Sequence, residues 1–155
     1  TWLQSLQDSA QLLADTCKGN HDSQIERAVD EFSTVGQNIV LADSVETGLE
    51  MWIMENEDFD HLRMICAYGA NCDNYTQIMW ATTTRVGCGK SSCSNDTFFV
   101  CNYGPEGNQP GQTPYERDAS NCTVTGLSNS GPTNDLWIIL LIYLLRAFDV
   151  QQIFI

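Results

Sequence analysis

Seven cysteines, two histidines and three Asn-x-Ser/Thr sequons are the residues of this 155-residue chain whose types and spacing could do chemistry. No Cys-x-x-Cys pair occurs, with or without a matching pair of histidines, so a zinc finger is disfavoured. The cysteines are read as disulfide formers, and the sequons at Asn74, Asn95 and Asn121 suit the same oxidising, glycosylating compartment. Acyl-transfer chemistry needs a nucleophile, a base and an orienting group together. Neither a Gly-x-Ser-x-Gly element nor a free cysteine beside a histidine is evident, and the residues point to no enzyme. Of the histidines, His61 stands alone between Asp58 and Arg63 near Asp60 and reads as a solvated surface residue rather than a ligand.

The remaining composition narrows the partners. The formal net charge is -13 with seven Lys and Arg, so a phosphate backbone meets repulsion and nucleic acid is excluded as a partner. A length of 155 residues with 43% hydrophobic content supports one domain with a sizeable core. The chain opens at Thr1 with neither a basic nor an apolar leader, so secretion is an inference from cysteines and sequons.

The elements that must position these residues follow from periodicity. Leu3, Leu6, Ala10, Leu13 and Cys17 fall on one face of a helix, with Gln4, Asp8, Gln11 and Asp15 turned away from it. Residues 18 to 36 are largely polar, with room for a short helix within 25 to 32. Val45, Leu49 and Trp52 predict a second helix from about Ser44 to Asn56, with Asp43 as its cap and Glu46 completing a capping box. Between Tyr75 and Tyr103 the composition predicts successive strands, broken at Gly87 to Gly89 and at Ser94 to Asp96. A Gly/Pro-rich loop covers 104 to 114, and helices followed by strands imply an α+β layered domain. Tyr75, Trp80, Phe98, Phe99 and Tyr103 could line an apolar groove, but core packing is the expected role.

Three cysteine-anchored stretches occur in order: Cys72-Asp73-Asn74-Tyr75-Thr76-Gln77-Ile78-Met79-Trp80, Arg85-Val86-Gly87-Cys88-Gly89, and Val100-Cys101-Asn102-Tyr103-Gly104-Pro105-Glu106-Gly107-Asn108. Around them, Trp2 through Cys17-Lys18-Gly19-Asn20-His21, Val35-Gly36-Gln37-Asn38-Ile39, Trp52-x-x-Glu55 and Pro110-Gly111-Gln112-x-Pro114-Tyr115 complete a set that resembles the CAP superfamily of cysteine-rich secretory, antigen-five and pathogenesis-related proteins. The match spans about Trp2 to Cys122, so residues 1–122 are expected to form the domain and 123–155 a polar linker and apolar tail. Family members usually carry a further helix, with a His-Asn-x-x-Arg pattern, before the point matched by Trp2. The resemblance therefore implies an α-β-α sandwich that lacks the first family helix.

The resemblance also implies disulfides Cys17 to Cys93, Cys66 to Cys72 and Cys88 to Cys101, leaving Cys122 free or paired between chains. It places a cleft at His21, Gln37, Glu55 and Asn74, where the family collects two histidines and two acids able to hold a divalent metal. Gln37 and Asn74 are amides, poor zinc ligands that cannot act as bases, so no metal or other cofactor is expected. Asn74 heads a sequon but lies in the cleft wall, and Asn95 and Asn121 are the expected glycan acceptors. Two functions stay open: a secreted binding protein of the venom-allergen type, taking a protein receptor or a lipid or sterol ligand, and a metal-dependent hydrolase relying on His21 and Glu55.

After Cys122, small residues at Ser128 to Gly131, a short polar spacer and the apolar run Leu136 to Leu145 follow the order of a lipid-anchor signal. Arg146 and Asp149 interrupt it, and a truncated end is the competing reading. The decamer spans only about 15 Å as a helix, half of a hydrocarbon core.

Overall fold

The computed structural model describes residues 1–116. The elements in order are α1 (Gln4–Ala14), α2 (Gln24–Arg27), β1 (Gly36–Ala42), α3 (Val45–Met54), a 3-10 turn (Glu55–Asp58), β2 (Phe59–Asp60), β3 (Ile65–Cys66), α4 (Asp73–Ile78), β4 (Arg85–Cys93) and β5 (Asp96–Gly104). Three of the strands form an antiparallel sheet in the order β1-β5-β4, and β2 pairs with β3 in a separate hairpin. Cys122, Asn121 and the apolar tail lie outside the described residues.

The central strand, β5, shows how the layers arise. Successive side chains of a strand leave opposite faces. Phe98 and Val100 pack with Ala10, Leu13 and Ala14 of α1, whereas Phe99, Cys101 and Tyr103 join Trp52, Leu49 and Ile78 on the other side. Helix α1 thus covers one face and α3 with α4 the other, an α-β-α sandwich. Trp52 stacks on Phe99 with ring centroids 5.1 Å apart, and its indole donates to the Ile39 carbonyl on the edge strand β1. Phe59, Cys72 and Tyr75 make a third buried cluster beneath the hairpin. The aromatic residues expected in the core are there: Tyr75, Trp80, Phe98, Phe99 and Tyr103 are all buried.

Disulfides join Cys17 to Cys93, Cys66 to Cys72 and Cys88 to Cys101, the pairs that the family resemblance implies. The first ties the end of α1 to the end of β4. The third crosses between β4 and β5 at directly paired residues.

Several sequence expectations give way to the structure. Gly87 and Gly89 do not break the strand; β4 runs through both, and a Cβ at either would strike the backbone of α1 at Gln7, Leu3 and Leu6 or at Gln11 and Ala10. The glycines mark a close helix-to-strand approach, the other physical reason for glycine in a strand. Tyr75 does not open a strand, because residues 73–78 are helical, and β1 arises where only the family resemblance had marked an element. The cap of α3 is Ser44, whose hydroxyl accepts from the Thr47 amide at 3.1 Å, not Asp43. Gln11 and Asp15 do not turn away from the sheet either. The Gln11 side chain accepts from the Lys90 amide at 3.0 Å and donates to the Lys90 carbonyl at 2.8 Å, and Asp15 accepts from the Ser91 hydroxyl.

Candidate functional site

The four positions singled out by the resemblance come together as two hydrogen-bonded pairs. His21 Nδ1 lies 2.8 Å from Gln37 Oε1, and Asn74 Nδ2 donates to Glu55 Oε1 at 2.6 Å. Among the described residues no hydrogen bond joins one pair to the other. Neighbouring residues of β1 serve the two sides: Gln37 reaches α2, while the buried Asn38 donates to the Asn74 carbonyl at 3.0 Å and to the Tyr103 hydroxyl at 3.3 Å. Burial holds the Tyr103 phenol well above its ordinary range and so keeps it neutral.

Gln37 is fully engaged. Its Oε1 faces His21 Nδ1 and accepts from Arg27 Nη1 at 3.0 Å; its Nε2 donates to Asp22 Oδ1 at 3.0 Å and to Asn102 Oδ1 at 2.9 Å. An amide oxygen can only accept, so His21 Nδ1 is the donor in this pair, and in the neutral imidazole Nε2 keeps its lone pair. The partner Asn102 is itself fixed from below, donating to Ser9 Oγ at 3.3 Å and to the Leu6 carbonyl of α1.

The short helix α2 supplies what sequence reasoning missed. Ser23 and Glu26 form a reciprocal capping box: the Ser23 hydroxyl accepts from the Glu26 amide at 3.3 Å and the Glu26 carboxylate accepts from the Ser23 amide at 2.8 Å. Those Ser23 hydrogen bonds hold the exposed Glu26 carboxyl below its ordinary range. So oriented, the helix presents Gln24 and Arg27, and Asp22 pairs with Arg27 at 3.3 Å. His21, Gln24, Arg27 and Gln37 meet Glu106 and Asn108 of the loop after β5 around a cavity of about 340 Å³. Glu55 and Asn74 are not among its lining residues. No pattern in the sequence pointed to Gln24, Arg27 or Glu106, since only folding brings residues 24 and 106 to a 3.0 Å hydrogen bond.

His61 corrects an expectation. It is not a solvated residue: its Nε2 lies 2.7 Å from Asn56 Oδ1, its Nδ1 lies 3.0 Å from the Tyr115 hydroxyl, and its ring meets Phe59 and Tyr75 edge-on. With both nitrogens engaged it has no lone pair to offer a metal.

The order of these elements and the three disulfides accord with a known family. The sequence pattern of "CAP: Cysteine-rich secretory protein family" matches residues 1–103. The chain belongs to the CAP family. Venom allergen 5 of Rhynchium brunneum is 39% identical over 132 residues, covering 75% of this chain and 56% of that protein. A pathogenesis-related protein of PR-1 type from Sambucus nigra is 39% identical over 85 residues, 52% of this chain and 51% of its own length. The chain thus spans about half the length of the curated relatives it matches. Among solved structures, Schistosoma mansoni venom allergen-like protein 4 superposes with a TM-score of 0.69 at 28% identity, over 76% of this chain and 74% of that one. NaASP2, solved with Zn2+, shares the fold at a TM-score of 0.62 and 23% identity, over 76% and 66% of the two chains.

The CAP cleft of this chain does not fit a zinc ion. Of the four positions that the resemblance singles out, His21 and Glu55 alone carry ligand chemistry, and they belong to separate pairs. Both Glu55 oxygens accept hydrogen bonds, from Asn74 and from the Tyr75 amide at 2.9 Å. At Gln37 the side-chain oxygen faces a guanidinium 3.0 Å away, so a cation already stands beside the position where the resemblance implies an acid. No group of three or more His, Cys, Asp or Glu with metal-site geometry occurs among the described residues.

Proposed function

We propose that this CAP domain is a secreted, non-catalytic binding module of the venom-allergen type, whose cleft engages a ligand or a protein receptor rather than a catalytic metal. The observation that carries this reading is the saturated amide of Gln37, with two acceptor and two donor contacts and Arg27 beside it. A carboxylate there would be a ligand or a base; the amide is neither. The lining of the cavity, rich in amides and charged groups, supports a polar ligand or a receptor side chain over a lipid or a sterol at this site. Secretion accords with three disulfides in a small domain. The exposed Asn95, at the two-residue turn between β4 and β5, is the accessible glycan acceptor of the described residues, because Asn74 is half-buried against Glu55.

The competing reading, a metal-dependent hydrolase, is favoured by the free lone pair on His21 Nε2. Metal analysis of the folded protein purified without chelator separates the two. The expected result is no stoichiometric zinc, with affinity rising in the Gln37→Glu, Asn74→His double variant. Copurification of about one zinc per unmodified chain overturns the binding-module reading.

A further inference from the structure

The hairpin of β2 and β3 has two unlike faces. Phe59 pairs with Cys66 and Asp60 with Ile65, and the ladder continues where the Ala67 amide donates to the Asp58 carbonyl at 2.8 Å. Because side chains alternate along a strand, Phe59 and Cys66 turn inward, into the cluster with Cys72 and Tyr75. Asp60 and Ile65 take the outer face, where Ile65 is 54% exposed. Leu62, 74% exposed, stands at the turn of the hairpin, and Tyr68, exposed over its whole surface, follows the other end of the ladder.

Hydrogen bonds and a disulfide fix both ends. At the turn, the Asp60 carboxylate accepts from the amides of Leu62 at 2.8 Å and Arg63 at 3.0 Å, and the Asp60 carbonyl accepts from the Met64 amide at 2.7 Å. Beyond the ladder, the Ala70 amide donates to the Ala67 carbonyl at 3.1 Å across Tyr68 and Gly69. Gly69 has a φ of 82°, which suits the third residue of a type II turn. The Cys66–Cys72 bridge closes this loop at its base, on the buried Cys72. A tyrosine displayed in this way has little backbone freedom left to lose on binding and few side-chain torsions to fix. Covering it would take about 150 to 250 Å² out of water.

The surroundings select the partner. Glu57 and Asp58 are exposed, and from residue 55 to residue 73 five acids stand against one basic residue, Arg63, which pairs with Asp60 at 3.2 Å. An anionic membrane surface would repel these carboxylates. A second copy docked about a two-fold axis would set the acids of this hairpin against their own images.

From this surface we infer a docking site for a protein partner with a basic rim: Tyr68 is the anchor that enters an apolar pocket, Ile65 and Leu62 extend the contact, and lysines or arginines of the partner meet Glu57 and Asp58. Tyrosine anchors of this kind carry much of the energy of protein interfaces. The inference rests on the reading of the chain as a receptor-binding module and places a contact outside the cleft.

Peptides selected from a random phage-displayed library on the whole chain test it, with affinities measured by surface plasmon resonance and metal content on the same sample. The selected peptides should combine an aromatic or apolar centre with lysine or arginine, and salt should weaken them. Tyr68→Ser should cost at least about tenfold in affinity, and Ile65→Ser less. Gly69→Ala, whose Cβ meets no atom within 4 Å, should weaken binding through the turn alone. Leu12→Ser, at an exposed leucine of α1, should change nothing. Peptides that keep their affinity for Tyr68→Ser, or a library that yields none, overturn the docking site and leave the binding-module reading intact. Tyr68-dependent binding to phosphatidylcholine vesicles, with or without phosphatidylserine, or Tyr68-dependent dimers in sedimentation velocity, overturn the choice of partner. Stoichiometric zinc overturns the reading beneath it.

Discussion

The two faces of the central sheet are packed by different means. Against α1 the sheet is held by backbone approach: Gly87 and Gly89 let the helix settle onto β4, and the Gln11 amide completes hydrogen bonds of the strand at Lys90. Against α3 and α4 it is held by bulk, with Trp52 stacked on Phe99 and the Cys88–Cys101 bridge beneath. The first face tolerates no added atom, whereas the second loses stability mainly when atoms are removed. The candidate site grows from the first face, through Leu6 and Ser9 to Asn102 and from Asn102 to Gln37.

The largest effect should come from severing the covalent tie on the α1 side. Cys17 and Cys93 are 76 residues apart, and in the chain-entropy model their bridge contributes about 4 to 5 kcal/mol. The Cys88–Cys101 bridge, closing 13 residues, contributes about 3 kcal/mol on the same scale. Urea denaturation of the two double-serine variants should rank them in that order. The reverse ranking would show that strain or residual denatured structure outweighs loop length.

A pair of glycine replacements sharpens the contrast between the faces. Gly89→Ala drives a Cβ into the backbone of Gln11 and should cost about 3 kcal/mol, the upper range for overpacking. Gly48→Ala, on α3, meets the Val40 side chain at 2.6 Å but gains about 1 kcal/mol of helix propensity, so its net effect should stay within about 1 kcal/mol of zero. Equal losses in the two variants, measured by thermal unfolding, would contradict the distinction.

Alkaline pH tests the α3 and α4 side. Burial, with Tyr115 nearby, raises the Tyr75 phenol to about 12. An acid whose folded value lies above its unfolded value of about 10 stabilises the fold fully below pH 10 and loses that contribution as pH rises toward 12. About 2 to 3 kcal/mol should therefore disappear across this window. Phenolate absorbance at 295 nm followed alongside circular dichroism checks it, and Tyr75→Phe should reduce the loss, leaving the part that the buried Tyr103 phenol contributes. Ionisation of all tyrosines near pH 10 without unfolding would refute the assignment.

A modest loss is expected for Gln11→Ala. It removes two hydrogen bonds to the Lys90 peptide from a half-buried position, for a loss of about 1 to 2 kcal/mol by chemical denaturation. Gln11→Glu should be worse than alanine on local grounds, because a carboxylate can accept from the Lys90 amide but cannot donate to its carbonyl.

How much of this was legible depended on the length of each signal. Helix α1 is eleven residues long, enough turns for its apolar stripe to declare itself, and it lies where the periodicity placed it. Helix α4 has six residues inside a stretch rich in Thr and aromatics, too few for a helical period to outweigh strand-like composition. Strand β1 escaped detection because its burial does not alternate cleanly: Gln37 and Asn38 are polar residues held by side-chain partners, not by an apolar face. Gly87 and Gly89 were misread because glycine signals either a turn or a close approach, and only the position of α1 decides between them. The cleft shows the same division. Family resemblance located His21, Gln37, Glu55 and Asn74, but nothing local pairs Arg27 with Gln37 or Gln24 with Glu106.

The Gln11 amide has one more consequence, for how the molecule behaves among its own copies. Strand β4 lies at an edge of the sheet, where unpaired peptide groups invite another chain to extend the ladder. At Lys90 that invitation is already answered, since a side-chain amide offers the same donor and acceptor as a neighbouring peptide. Near the start of the strand the backbone of residues 1 to 3 occupies Val86 in the same way. The sheet is thus terminated by its own chain on this side, and its growth into a fibre is blocked at two points about four residues apart along the edge.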